Sequence, residues 1–407
     1  MLTVAYLANQ FPAPSEPYVW DEIRALRKRG IQVVPCSVRR TPSHNPIARE
    51  TLYLLPVQVQ AAIRAIKVVA AQFSLLAEFF YIASTQESWP RRFRAVVHTL
   101  LGACFAAQLR DRAIAHIHVH HGYFASWVAM VAARLLGISF SMTLHGSDLL
   151  LHHAFLGQKL RRCLFCLTIS DFNRRHILKS YPEISPDKIR VQRLGVQTIN
   201  SASEDGGHQS GSQLIMLSVG RLHRVKDHAF LLRACAELKR RGVWFVCLIA
   251  GDGPEREALQ RLAGGLSLEG SAVFLGHVPH EKLEAYYSIC DLVVLTSRSE
   301  GIPLVLMEAM AHSRIVLAPA ITGIPELVLD GQTGFLYRPG DTNDFVDRVG
   351  GISRMLPGLN VLRRRARRHV LEHFNRERNL EEFAELFPKL VREAAGIPDA
   401  NLVLQQI

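Results

Sequence analysis

Short apolar, β-branched runs alternate with helical patterns in two series along this chain, and no other feature limits its possible folds as strongly. The first series reads TVAYLA, a helix from about Pro17 to Arg29, then IQVVPCSV. The second reads LIMLSVG, a helix over 227–241, VWFVCLIAG, a helix over 254–263, SAVFLGHV, a helix over 280–288, LVVLTS, a helix after Pro303, and RIVLAPA. Strands separated by helices build parallel sheets covered on both faces. Between the two series lies NSASEDGGHQSGSQ (Asn200 to Gln213), small, polar and Gly/Ser-rich, which is a linker by composition. The expectation is an α/β chain of two Rossmann-like, doubly wound domains facing across a cleft, with ligands at the carboxyl ends of the strands. The domains would span 1–199 and 214–385, with the linker at 200–213 and a tail at 386–407 packing back on the first domain. Residues 46–112 read as a helical, amphipathic insertion, with Leu52–Leu55 and Val68–Ile82 especially apolar; they either pack on the domain or face a membrane.

Charge is spread unevenly. The net +12 divides into 24 Lys+Arg against 11 Asp+Glu in residues 1–200, giving +13, and 24 against 25 in residues 201–407, giving −1. The first half is therefore expected to meet something anionic, either a lipid surface or a phosphate-bearing acceptor. Its basic residues come in short clusters such as 27–29 and 91–94, without a zinc-finger or RNA-recognition signature, so nucleic acid is not an expected partner. The start, MLTVAYLANQ, lacks a basic leader and reads directly as a strand, so no signal peptide is expected. The seven cysteines are scattered through apolar segments and read as reduced core thiols of a cytoplasmic protein.

The second half carries the clearest chemistry. In SEGIPLVLMEAM, from Ser299 to Met310, two acids flank seven uncharged residues just after the strand-like run CDLVVLTS. Gly301 permits close approach of a partner, and Pro303 suits a helix start, whose free N–H groups attract anions. An acid beside an anion site is uncomfortable unless it binds hydroxyls, so a sugar attached to phosphate would explain Glu300 and Glu308 together. Upstream, GRLHRVKD sets Gly220 at a strand end, followed by Arg221 and Lys226, two cations suited to a diphosphate. AGDGPE at 250–255 ends the next strand in a tight turn containing Gly251, with Asp252 a candidate helix cap. FLGHV at 274–278 ends another in the same way.

In order, GRL–x3–K, AGDGP, FLGHV, SEGIPLVLMEAMA, TGIPELV and DGQTGFLY resemble the donor domain of the retaining GT-B glycosyltransferases of family 4, also called glycosyltransferase group 1. The resemblance covers about Leu214 to Tyr337. It implies that Arg221 and Lys226 hold the diphosphate of a UDP- or GDP-sugar, Glu300 the sugar hydroxyls and Glu308 the ribose. Backbone groups of Gly301, Ile302, Pro303, Leu304 and Val305 would reach sugar and phosphate, and His277 and Val278 the base. NQFPAPSEPYVWDEI at 9–23, with Ser15 and Glu16, and TLHGSDL at 143–149 resemble the exopolysaccharide branch of the family. There His145 would sit near the reacting sugar, and with Glu300, Arg221 and Lys226 it completes the expected catalytic set. No cofactor and no metal are expected, because the matched donor motifs hold no paired Asp cluster.

HIHVHH at 116–121 puts His116, His118 and His120 on one face of a strand. Metal ligation, a strand-end role of His120 and His121 near the acceptor, and plain packing are its three readings. The overall expectation is sugar transfer to a saccharide, carried on a polyprenyl diphosphate at an anionic membrane face. The rivals are another enzyme of the same fold, such as a sucrose-phosphate synthase, a glycogen synthase-like transferase or a sugar-nucleotide epimerase, and a catalytically silent binding partner.

Overall fold

The computed structural model describes residues 2–13, 16–40, 45–85, 88–151, 154–198 and 213–395. The chain divides into two units, one formed by 1–169, 173–192 and 380–407, the other by 170–172 and 193–379.

In the first unit, β1 (Thr3–Gln10), β2 (Gln32–Arg39), β3 (Leu52–Tyr53), β4 (His116–His120), β5 (Ser139–Leu144), β6 (Cys166–Thr168) and β7 (Ile189–Val191) form one sheet. Its order is β3-β2-β1-β4-β5-β6-β7, and all pairings are parallel. In the second unit, β8 (Leu214–Val219), β9 (Phe245–Ala250), β10 (Ala272–Gly276), β11 (Leu292–Val294), β12 (Ile315–Pro319) and β13 (Phe335–Tyr337) form a parallel sheet of order β10-β9-β8-β11-β12-β13. Both sheets reverse their winding beside the first strand, between β1 and β4 and between β8 and β11. Those reversals are where doubly wound sheets bind ligands.

Side-chain alternation explains why the strands are apolar throughout. Val4, Tyr6 and Ala8 of β1 enter one core and Ala5 and Leu7 the other. Likewise Leu292 and Val294 of β11 face one layer of helices and Val293 the opposite one. A parallel sheet buried on both faces needs apolar residues at successive positions.

Three expectations are revised. The segment 46–112 is not wholly helical, because Leu52–Tyr53 pairs in parallel with Cys36 and Ser37 of β2 as the sheet edge. Around it lie helices Ile47–Glu50, Val59–Ala71, Phe73–Ser84 and Trp89–Leu109. The chain rejoins the first unit at Leu380 rather than after residue 385, because Phe383, Phe387 and Val391 of helix Arg376–Ala395 are buried beside Tyr6. Finally, Asp252 does not cap the following helix, which runs Arg256–Gly265 from Glu255; its carboxylate instead accepts from the Gly253 amide at 2.7 Å. The linker, apart from Gln213, lies outside the described residues. All seven cysteines are unpaired, and all but Cys104 are buried.

Candidate functional site

In the second unit the loops leaving β8, β9 and β10 pass so close together that only glycine fits between them. A side chain at Gly251, whose φ is +150°, would put its Cβ 1.9 Å from the Gly220 carbonyl. One at Gly253 would meet the Leu222 carbonyl at 2.5 Å. The backbone is stitched accordingly, with Gly220 donating to Ala250 and Gly251 donating to Gly276 at 2.9 and 2.7 Å. This rigid edge aims the loop that carries Arg221 and Lys226.

Lys226 leaves β8, Glu300 leaves β11, and the two meet across the winding reversal at 2.5 Å, Nζ to Oε1. Ser297 donates to the same carboxylate oxygen at 2.6 Å, and Thr322 Oγ1 donates to the Glu300 carbonyl at 2.6 Å. Thr296 fixes the other side by donating to the Lys226 carbonyl at 2.9 Å. Gly323 passes under the same loop, where a Cβ would lie 2.4 Å from the Gly301 carbonyl. Glu300 and Lys226 keep side-chain exposures of 12% and 22%, so a ligand can still reach them. Arg221 is exposed and makes no ion pair among the described residues.

Helix Leu304–Ala311 follows from Pro303, and no side chain caps its first turn. Glu308, one turn along, accepts from the Tyr287 hydroxyl at 2.8 Å, with His280 Nε2 3.6 Å from its other oxygen. Burial raises the Glu308 carboxyl above its ordinary value, against the opposing Tyr287 hydrogen bond. Ile302 and Pro303 are buried, whereas Gly301, Leu304, Val305 and Val278 are half-buried and His277 is exposed. The sequence reading missed Tyr287, Ser297 and Thr322. Ser297 ends the quoted CDLVVLTS and Thr322 opens the quoted TGIPELV, but nothing local marks Tyr287.

A second cluster closes the corresponding edge of the first unit. β4 and β5 interleave a histidine ladder with a hydroxyl ladder, pairing His116 with Ser139, His118 with Ser141 and His120 with Thr143. His116 bonds Ser139 and Ser141 at 2.8 and 2.7 Å, and His118 bonds Ser141 and Thr143 at 2.8 and 3.1 Å. Burial lowers His116 to about 3 and drives His118 well below the imidazole range, so both are neutral core residues. Phe387 packs edge-on against each ring.

Beyond the ladder the histidines change character. His120 Nδ1 lies 3.0 Å from His145 Nε2, and His120 Nε2 lies 3.1 Å from Glu22 Oε2. His121 takes a left-handed φ of 70° and sets Nε2 3.1 Å from Glu16 Oε1 and Nδ1 3.7 Å from Asp148 Oδ2. Burial works against charge on His121, yet the carboxylates of Asp148 and Glu16 overcome it and raise the group to about 10. Burial, then the charges of His121 and His120, hold His145 far below the ordinary imidazole value.

Asp148, fully buried, accepts from the amides of Gly122, His145 and Gly146 at 2.8, 3.1 and 2.8 Å. Burial alone would raise Asp148, but His121, then His145 and the Gly146 amide, hold it well below the carboxylate range. Lys159 donates to the carbonyls of Gly122, Tyr123 and Ala154 at 2.8, 3.0 and 2.9 Å, tying the same turn from behind, and burial lowers it to about 7. Ser15 lies outside the described residues. Among the described residues Glu22, His118 and His120 bring donor atoms within 4.8 Å of one another, the one group with metal-like spacing. Every ring nitrogen in it is already hydrogen-bonded, which favours a hydrogen-bonded network over a metal centre.

Residues 15–199 match the family Glycosyltransferase Family 4, and residues 203–369 match Glycosyl transferases group 1. The chain belongs to the group 1, family 4 glycosyltransferases. This glycosyltransferase is 28% identical over 406 residues to WcaL of Salmonella typhimurium, named for colanic acid biosynthesis, covering 95% of this chain and 99% of that protein. It is 25% identical over 433 residues to the amylovoran biosynthesis glycosyltransferase AmsK of Erwinia amylovora, covering 96% and 100%. Its fold matches that of Anabaena HepE in complex with UDP at a TM-score of 0.70 and 17% identity, covering 96% and 100%. The enzyme thus has the two Rossmann-like units of the GT-B architecture.

Proposed function

We propose that this glycosyltransferase moves a sugar from a nucleoside diphosphate sugar to a saccharide acceptor in exopolysaccharide assembly, keeping the anomeric configuration. The observation that carries the donor side is the Lys226–Glu300 pair at the β8/β11 reversal. An ammonium and a carboxylate side by side suit a sugar phosphate, the first for phosphate oxygens and the second for hydroxyls. Arg221 adds a planar donor fork for the diphosphate, and Glu308 takes the ribose. The leaving diphosphate gathers charge as the glycosidic bond breaks, and fixed cations and helix amides stabilise that charge without a metal. Colanic acid and amylovoran, in the names of the relatives, support an exopolysaccharide product.

The test is a thermal-shift panel of UDP-glucose, UDP-galactose, GDP-mannose and GDP-fucose, followed by NMR of the product anomer. One nucleotide class should raise Tm, because binding to the folded state alone stabilises it. No shift with any nucleotide diphosphate sugar would sink the donor assignment, and an inverted product would sink retention.

The acceptor is proposed to be carried on a polyprenyl diphosphate at the inner face of an anionic membrane. Helix Val59–Ala71 buries Ala61, Ala65 and Val68 but exposes Val59, Ile63 and Ile66, and helix Trp89–Leu109 exposes Trp89, Phe93 and Leu100. These apolar stripes lie beside the exposed Arg64, Lys67, Arg91 and Arg94. Apolar and cationic groups together suit an anionic bilayer surface, each cation adding on the order of 1 kcal/mol. No single helix among the described residues is long and apolar enough to cross a membrane; helices Val59–Ala71 and Phe73–Ser84 pass together but are bent by 95°. Co-sedimentation with phosphatidylglycerol vesicles at low salt should exceed that with phosphatidylcholine and fall in Ile66→Glu/Phe93→Glu. Equal recovery in the supernatant under all conditions would leave a soluble acceptor.

A further inference from the structure

In the second unit, Glu308 is the one acid on a helix that otherwise packs inward. Its neighbours Leu306, Met307, Ala309, Met310 and Ala311 are all buried, whereas its own side chain keeps 17% exposure. A glutamate there has three side-chain torsions, and each one left free must be ordered when a ligand binds. A single hydrogen bond restrains them. Tyr287, on helix His280–Ile289, donates to Glu308 Oε2 at 2.8 Å, the only hydrogen bond to that carboxylate among the described residues. The phenol has no freedom to move with it. Its ring is 1% exposed and stacks on His312, with centres 5.2 Å and planes 22° apart. Burial, then the charge of Glu308, raise Tyr287 well above the usual phenol range, so its hydroxyl keeps the hydrogen. Glu308 Oε1 meets only His280 Nε2, at 3.6 Å, too far for a hydrogen bond, and that exposed ring can give way to a ligand.

We infer that Tyr287 is a positioning residue that fixes the Glu308 carboxylate to accept from the donor's ribose hydroxyls, so that the enzyme prefers ribonucleotide over deoxyribonucleotide donors. The inference rests on the reading that gives Glu308 the ribose. An ionised carboxylate only accepts, so it favours a hydroxyl and loses a bond when hydrogen replaces that hydroxyl. How sharp the preference is depends on how firmly the acceptor is held, because a mobile carboxylate loses part of the bond's free energy to its own ordering. Tyr287 thus contributes to recognition through Glu308 rather than through the donor.

Calorimetric binding of UDP, GDP and their 2′-deoxy and 3′-deoxy counterparts to the intact protein tests this. Wild type should bind the preferred ribonucleotide about ten- to a hundredfold more tightly than its weaker deoxy analogue. Tyr287→Phe keeps the ring and removes only the hydroxyl. It should narrow that ratio to about threefold or less, and raise donor KM more than it lowers kcat. An unchanged ratio in Tyr287→Phe overturns the positioning role, whatever happens to stability, and leaves the ribose reading standing. If Tyr287→Phe folds poorly, Tyr287→Phe/Glu308→Gln strands no buried carboxylate and is compared with Glu308→Gln. Glu308→Gln alone should abolish the preference, and adding Tyr287→Phe should weaken ribonucleotide binding no further. A further loss would show that Tyr287 acts by another route, which overturns the inference. No preference in wild type would instead take the ribose away from Glu308, and the inference with it.

Discussion

The two winding reversals offer a controlled comparison, because the same sheet order carries two clusters of opposite design. At β8/β11 the charges are few and reachable, with Lys226 and Glu300 paired at 2.5 Å and Arg221 exposed. At β1/β4 the titratable groups are deep and close together, with His121 between Asp148 and Glu16 and His120 against Glu22. Exposure lets a cation exchange its partner for a ligand at little cost, whereas burial makes each partner indispensable. On the proposed function the first cluster binds and releases a ligand, whereas the second holds a geometry.

Substitutions of similar chemistry should therefore act in opposite ways. Lys226→Ala is expected to lower turnover by about 10²–10³, the effect of removing one transition-state donor, while stability changes by less than about 1 kcal/mol. Activity within a few-fold of wild type would break the donor assignment. Asp148→Asn should do the reverse and cost about 3 kcal/mol in denaturant unfolding, because it leaves a buried imidazolium without its partner. A loss below about 1 kcal/mol would mean that the second cluster is as adaptable as the first.

The pH dependence sharpens the same contrast. His121 is raised from the ordinary imidazole value of about 6.5 to about 10. Its contribution to stability is therefore complete below about 6.5 and is lost as pH rises through 10. The stability difference between wild type and His121→Gln, measured by unfolding at pH 6 and pH 10, should shrink at the higher pH; a constant difference would show that His121 is neutral in the folded protein. The smallest expected effect is that of EDTA, which should leave turnover nearly unchanged if cations and helix amides do the work of a metal. Loss of activity restored by Mg²⁺ or Mn²⁺ would refute the fixed-cation mechanism.

Much of this protein could be read from its sequence, and for local reasons. Strand and helix periods, the Gly/Ser-rich break and the glycines of AGDGP are properties of neighbouring residues, so the doubly wound halves and the donor-side loops were expected before the fold was seen. Arg221, Lys226 and Glu300 could be singled out because each lies in the loop that follows a strand, and Glu308 because it lies on the helix after Glu300. Glu22, Tyr6, Lys159 and Tyr287 gave no such signal. Tyr6 and His120 are 114 residues apart in sequence, and Glu22 and His120 are 98 apart, yet they share hydrogen bonds. Only parallel pairing decided that His116 and His118 spend their nitrogens on the hydroxyls of SFSMTL while His120 reaches His145. Three histidines of one strand look alike in sequence because alternation fixes which face they share. Strand register and burial determine what each then meets, and those are set by partners distant along the chain.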